Sequence, residues 1–169
     1  MEAKEVILSS LEQSQRYLTK TLDGLTQEEV GWSPGPECNS IAFIFWHIIR
    51  VEDVIVNTVL QSGKELYEAD GWQEKLGTPA KELGTHYTVG QLQAWSAPKP
   101  GVLQGYADSV RQKTLAFIKS SPPEKLSEMP KSDRLPGSIG TILCFMSIEI
   151  ALHVGQIAYL RGLQRGLDK

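Results

Sequence analysis

Three side chains in this sequence stand where their chemistry is out of place. Glu149 and His153 interrupt the apolar stretch SIGTILCFMSIEIALHVGQIAYLRGLQRG (residues 138–166), and His47 interrupts IAFIFWHIIRVEDVIVNTVL (residues 41–60). Glu149 and His153 are four apart, so a helix sets them one turn above the other on the same face. A carboxylate and an imidazole turned toward a core need partners, because an unpaired buried charge is prohibitively expensive. A divalent metal satisfies such groups together. Three protein ligands with a further position left for water or substrate is the usual catalytic arrangement for zinc. Imidazole and carboxylate also suit nickel, iron or manganese, so donor type alone does not choose among them. The competing account is an ion pair between Glu149 and a histidine that fixes helix register and is chemically silent. Gln156, one turn beyond His153, is a candidate for a group behind the ligands or lining a pocket, and so are Arg50 and Trp46 beside His47.

Helices must carry these groups. In the last stretch Ile142, Phe145, Met146, Ile150, Ile157 and Leu160 recur at helical spacing, with Ser138 as the cap. Phe43, Ile44, His47, Val51, Val54 and Ile55 give the second helix its inner face, after Asn39-Ser40. Glu52 and Asp53 fall off that face and are expected on its wet surface. A first helix runs from about residue 3 to Asp23 on the seam Ile7, Leu11, Leu18, Leu22 and Leu25, and Thr26-Gln-Glu-Glu29 opens a short helical turn as a capping box. Residues 62–87, rich in glycine, form a long connection in which Tyr67 and Trp72 pin the chain to the helices. Thr88-Val-Gly-Gln91 caps a short helix, and a third long helix runs from Pro100 to Lys119 with Leu103, Tyr106, Val110 and Phe117 inward. The pattern is all-α, an up-and-down four-helix bundle with its long connection after the second helix. It reads as one domain over residues 1–169.

Composition narrows the function. A net charge of −3 and a pI near 5.6 give no electrostatic reason for nucleic-acid or anionic-membrane binding. No unbroken apolar run reaches the roughly 18 residues of a membrane span. The N-terminus lacks the pattern of a signal peptide, and Cys38 and Cys144 show neither metal-type nor redox-type spacing. Cytoplasmic localisation is expected, with Cys38 in a loop and Cys144 as a small core residue. A di-iron carboxylate bundle needs two Glu-x-x-His pairs at spacing three, whereas this chain has a single pair at spacing four. No serine–histidine–aspartate set or phosphate-binding glycine loop can be assembled.

The segments NSIAFIFWHIIRVED (39–53) and EIALHVGQIAYLRGL (149–163), with the lead-in LDGLTQEEVGWSPGPECNS, resemble the DinB/YfiT-like superfamily of small bacterial four-helix bundles. The resemblance spans nearly the whole chain. It implies a metal site built from one histidine of the second helix and two residues, four apart, of the last, which by position are His47, Glu149 and His153. Many members carry histidine where this chain has Glu149. The branch resembling mycothiol-dependent maleylpyruvate isomerase uses glutamate there, and bacillithiol transferase is a further relative the chain resembles. The added negative charge favours a hard divalent ion and lowers the Lewis acidity felt by a bound thiol or water. The resemblance implies a zinc or nickel cofactor and a low-molecular-weight thiol cosubstrate, acting on a small-molecule substrate in an S-transferase or isomerase. Other relatives point to a metal-dependent hydrolase. A non-enzymatic metal-binding helical module stays open beside the enzyme. Pairing through helix faces is common among such proteins, which leaves a homodimer open.

Overall fold

The computed structural model describes residues 2–166. All the regular structure among them is helical: α1 (Ala3–Leu22), α2 (Gln27–Gly31), α3 (Ile41–Asp53), α4 (Leu66–Ala69), α5 (Trp72–Leu76), α6 (Val89–Ala94), α7 (Pro100–Ser120) and α8 (Ile139–Arg165). A 3₁₀ turn, Pro123–Ser127, lies between α7 and α8. The long helices α1, α3, α7 and α8 share one core, with α3 packed against both α7 and α8, and α1 against both α8 and α7. The caps fall where hydroxyl chemistry puts them. Ser40 accepts from the Phe43 amide, Ser138 from the Thr141 amide, and Thr26 and Thr88 each close a reciprocal capping box.

The helix carrying His47 departs from its expected form. From Ile41 to Asp53 every residue but Val51 is buried, so α3 has no wet face and runs through the middle of the core. Beyond Asp53 the winding widens into a π-helical segment, Val54–Leu60. Glu52 and Asp53 are therefore internal. Glu52 is 5% exposed and meets the Arg111 guanidinium fork-to-fork, at 2.9 Å from both Nε and Nη2, while Arg111 Nη1 donates to the Leu11 carbonyl. One ion pair thus ties α3 to α7 and α1. Asp53 is fully buried and accepts from the Leu66 amide (3.0 Å), the Tyr67 amide (2.9 Å), Tyr106 Oη (2.6 Å) and Asn57 Nδ2 (2.8 Å). Those bonds anchor α4, and with it the connection over residues 62–87.

α8 also differs from expectation on one side. Ile142, Met146, Ile150, Ile157 and Leu160 are buried as predicted, but Phe145 is 46% exposed. It joins Ile148, Leu152, Tyr159 and Leu163 in an outward apolar stripe. Cys144 is exposed rather than buried, like Cys38. Phe145 and Cys144 lie outside, against that expectation, because α1 and α3 cover only one flank of α8. The exposed stripe explains why α8 is apolar enough, at mean hydropathy 1.6 over 18 residues, to match a membrane span in length and composition. Its inner side is packed against α1 and α3 as in an ordinary core helix.

The burial of Asp53 sets a stability expectation. Asp53→Ala removes the acceptor for four donors and leaves Arg50 with less counter-charge, so unfolding by urea should show a loss of about 3–5 kcal/mol. Hydrogen exchange of the Leu66 and Tyr67 amides should accelerate more than that of the α1 amides. Unchanged stability would show that these bonds are dispensable.

Candidate metal centre

α3 and α8 lie side by side, and their contact brings the three out-of-place residues together. One ligand atom from each of His47, Glu149 and His153 lies within 4.8 Å of the others. The two imidazoles meet edge to face, with ring centroids 4.9 Å apart at 81°. His153 Nε2 is 3.3 Å from Glu149 Oε1. The surroundings are graded. His47 is 8% exposed, whereas the side chains of His153 and Glu149 keep 19% and 29% of their surface. The cluster is walled by α3 and open along α8.

The outer nitrogens of the rings are already engaged. His47 Nδ1 donates to the Leu83 carbonyl oxygen, and His153 Nδ1 donates to Gln156 Oε1 at 2.8 Å. With Nδ1–H so committed, a neutral imidazole presents an unprotonated Nε2. Burial holds the His47 imidazole below its ordinary pKa of 6.5, opposed by the Leu83 carbonyl and Glu149 and reinforced by His153. His47 is accordingly neutral at pH 7, the form that ligates.

The donor set fits a metal. One nitrogen from each imidazole and a carboxylate oxygen converge, and three acceptors cannot satisfy one another. A shared ion bonded at 2.0–2.2 Å needs its donors within about 4.2 Å of each other, twice a mean bond length. The widest separation, at most 4.8 Å, closes by about 0.6 Å, a small side-chain rotation. A proton on His153 would pair it with Glu149 but leave His47 outside the exchange. A cation serves all three.

Gln156 stands where the spacing put it, against His153. Arg50 and Trp46 have no exposed surface, so neither lines an accessible pocket. Both instead lie against residues 82–84, the segment that offers the Leu83 carbonyl: Arg50 Nε donates to the Glu82 carbonyl, and a Cβ on Gly84 would lie 2.9 Å from Trp46 Cζ3. Leu83 was not visible as a partner from the sequence, because its contribution is a backbone oxygen. The remaining histidine, His86, is exposed in the same connection and away from the cluster.

An imidazole from a buried helix and a Glu/His pair from its neighbour, converging in an all-helical fold, define a helical protein with a candidate divalent-metal centre. The family model of the DinB superfamily matches residues 10–157, a span that includes His47, Glu149 and His153, and the chain belongs to that superfamily. The fold is similar to that in the crystal structure of the conserved protein of a locus from Enterococcus faecalis, with a TM-score of 0.86 and 21% identity over 99% of each chain. No curated protein matches the chain by sequence.

The depressed His47 pKa gives a pH dependence to the metal-free protein. An unfolded histidine takes up its proton near pH 6.5, whereas folded His47 resists protonation to lower pH. Its contribution to stability is thus complete above the unfolded value and is lost as pH falls through the folded one. In EDTA, stability should decline from pH 7 toward pH 5, and His47→Gln should flatten that slope. Equal slopes for the two proteins would contradict the assignment.

Proposed function

We propose that the chain holds one divalent transition metal, zinc or nickel, through His47 Nε2, Glu149 and His153 Nε2, and works as a metal-dependent enzyme of the thiol-activating type. The carrying observation is the convergence of three acceptors whose outer nitrogens are already donating elsewhere. When bound, such an ion keeps a coordinated thiol as the nucleophilic thiolate at neutral pH. The chain's own residues supply the rest. Burial keeps His47 neutral, the Leu83 carbonyl and Gln156 orient the two rings, and Glu149 lowers the net charge of the centre. α1, α3, α7 and α8 form an up-and-down bundle on which this centre rides, consistent with their packing. Phe145 and Leu152 flank the ligands on the solvent side of α8, Phe145 one turn before Glu149, and provide an apolar approach suited to a small organic electrophile. That approach favours an enzyme over a purely structural metal module, in which the ion would be enclosed. Activation of water for hydrolysis is the second reading, favoured by the same half-open cluster.

The test has two stages. Elemental analysis of the purified protein and titration with Zn²⁺ or Ni²⁺ should give one ion per chain. An ion at about 100 times its Kd stabilises by about 2.7 kcal/mol, which at this size raises Tm by roughly 5–10 °C. EDTA should reverse the rise. Glu149→His should keep the metal response, since a third imidazole replaces the carboxylate, and Glu149→Ala should lose most of it. A wild-type Tm indifferent to metal and chelator would point instead to the ion-pair account. The loaded protein is then screened with bacillithiol, mycothiol and glutathione against a panel of electrophiles, and against ester and amide substrates for the hydrolytic reading.

A further inference from the structure

We propose that residues Glu82–Gly84 are a positioning segment for His47, held in place by Arg50 on one side and by Phe43 and Trp46 on the other, so that residues making no contact with the metal set the site's affinity. The inference rests on the metal reading above and deepens it. His47 is fixed from two directions: its backbone by the buried helix α3, and its ring by the Leu83 carbonyl. A ligating histidine whose Nδ1–H has an oriented acceptor keeps Nε2 free and aimed, and loss of such a partner typically weakens metal binding about 10–100-fold. The Leu83 carbonyl belongs to a connection with no regular structure at that point. Its placement therefore needs a cause.

Two causes are present. Arg50, one turn after His47 and fully buried, donates Nε–H to the Glu82 carbonyl at 3.1 Å. The same guanidinium donates from Nη2 to Glu65 Oε2 at 2.7 Å and from Nη1 to Tyr106 Oη at 3.2 Å, and its face lies 3.7 Å over the Tyr67 ring. Four partners leave it no freedom to swing, so the Glu82 carbonyl is tied to a rigid post. On the other flank Gly84 adopts φ +77°, and a Cβ there would lie 2.9 Å from Trp46 Cζ3 and 3.0 Å from Phe43 Cζ. Only glycine lets the backbone press this closely on the rings in the left-handed region. Residues at helical spacing on one face of α3 thus grip consecutive residues of the connection: Phe43 and Trp46 under Gly84, His47 to Leu83, Arg50 to Glu82.

The experiment reads the His47 tautomer and the metal affinity separately. Long-range ¹H–¹⁵N spectra of metal-free wild type should show His47 with its proton on Nδ1. Arg50→Lys keeps a positive charge beside Asp53 and Glu65 but lacks the fork that reaches the Glu82 carbonyl. Gly84→Ala pushes the segment off the rings without altering any charge. In both, measured where the variant is folded by circular dichroism, the Nδ1–H signal should give way to a tautomer mixture. Zn²⁺ affinity by chelator competition should weaken about 10–100-fold, with a shifted Co²⁺ absorption spectrum. Ile118→Ala, a buried α7 position outside this network, serves as a destabilised control and should retain wild-type tautomer and affinity. If Arg50→Lys does not fold, Gly84→Ala decides alone. Folded variants with wild-type tautomer and affinity would overturn the proposal, as would an equal loss in Ile118→Ala. A wild type that binds no metal defeats the metal reading, while the tautomer comparison still decides the positioning role.

Discussion

A guanidinium with no exposed surface must find acceptors for its donors inside the protein, and much of this structure follows from how Arg50 does so. Its fork and face are met by Glu65, Tyr106, Tyr67 and the Glu82 carbonyl, with Asp53 3.8 Å away as a further counter-charge. Asp53 in turn accepts from two amides at the start of α4 and from Tyr106. An isolated buried charge is intolerable, whereas a pair whose remaining hydrogen-bonding capacity is filled can persist. The consequence is topological. The connection over residues 62–87 has few apolar side chains with which to fold on its own, and polar bonds to one helix give it a fixed path. Tyr67 is drawn to full burial under Arg50, its hydroxyl meeting Thr78 and the Pro79 carbonyl, so the path is pinned again further along.

The metal-type cluster sits at the edge of that rigid region and not within it. His47 belongs to the buried helix and to the pinned connection. Glu149 and His153 belong to α8, which is packed on one flank and open on the other. One candidate ligand is therefore fixed in position and ring orientation, while the two on α8 are more exposed. That division suits a centre in which an incoming ion closes the last fraction of an ångström by moving the exposed side chains. It also sets the direction of access, since the apolar surface of Phe145, Ile148 and Leu152 lies on the open side.

The sequence was most informative where helical periodicity and side-chain chemistry disagreed. Glu149 and His153 on an apolar helix, and His47 on another, were legible as a cluster because a four-residue spacing has one geometric meaning and because polar groups on core stripes demand partners. The helices and their hydroxyl caps were legible for the same local reasons. Asp53 and Glu52 are internal although their angular offset from His47 predicts a wet face for α3. The clue lay in composition: from Ile41 to Leu60 the charged residues are Arg50, Glu52 and Asp53 alone, too few to make a solvent face, so they had to be internal and paired. Phe145 and Cys144 went the other way, since apolar character on α8 continues past the part that its neighbours cover. The Leu83 carbonyl had no side-chain signature to read. Gly84 offered the nearest hint, a glycine in the connection at a point where backbone meets aromatic rings.

The grip of α3 on residues 82–84 also accounts for why Trp46 and Arg50, next to His47 on the helix, line no pocket. A helix that is buried on every side cannot use those positions for substrate, because no opening reaches them. What it can do is transmit rigidity. The side chains at 43, 46, 47 and 50 project, at helical spacing, toward a single strip of backbone, and they address different features of it: aromatic ring carbons against a bare Cα, an imidazole proton to one carbonyl, a guanidinium to the carbonyl before it. A carbonyl held this way has a fixed dipole direction, and the imidazole it orients needs no further rearrangement when its other nitrogen is engaged. The buried polar residues of α3 are thus best understood as the frame of the candidate centre, which the half-exposed groups on α8 complete.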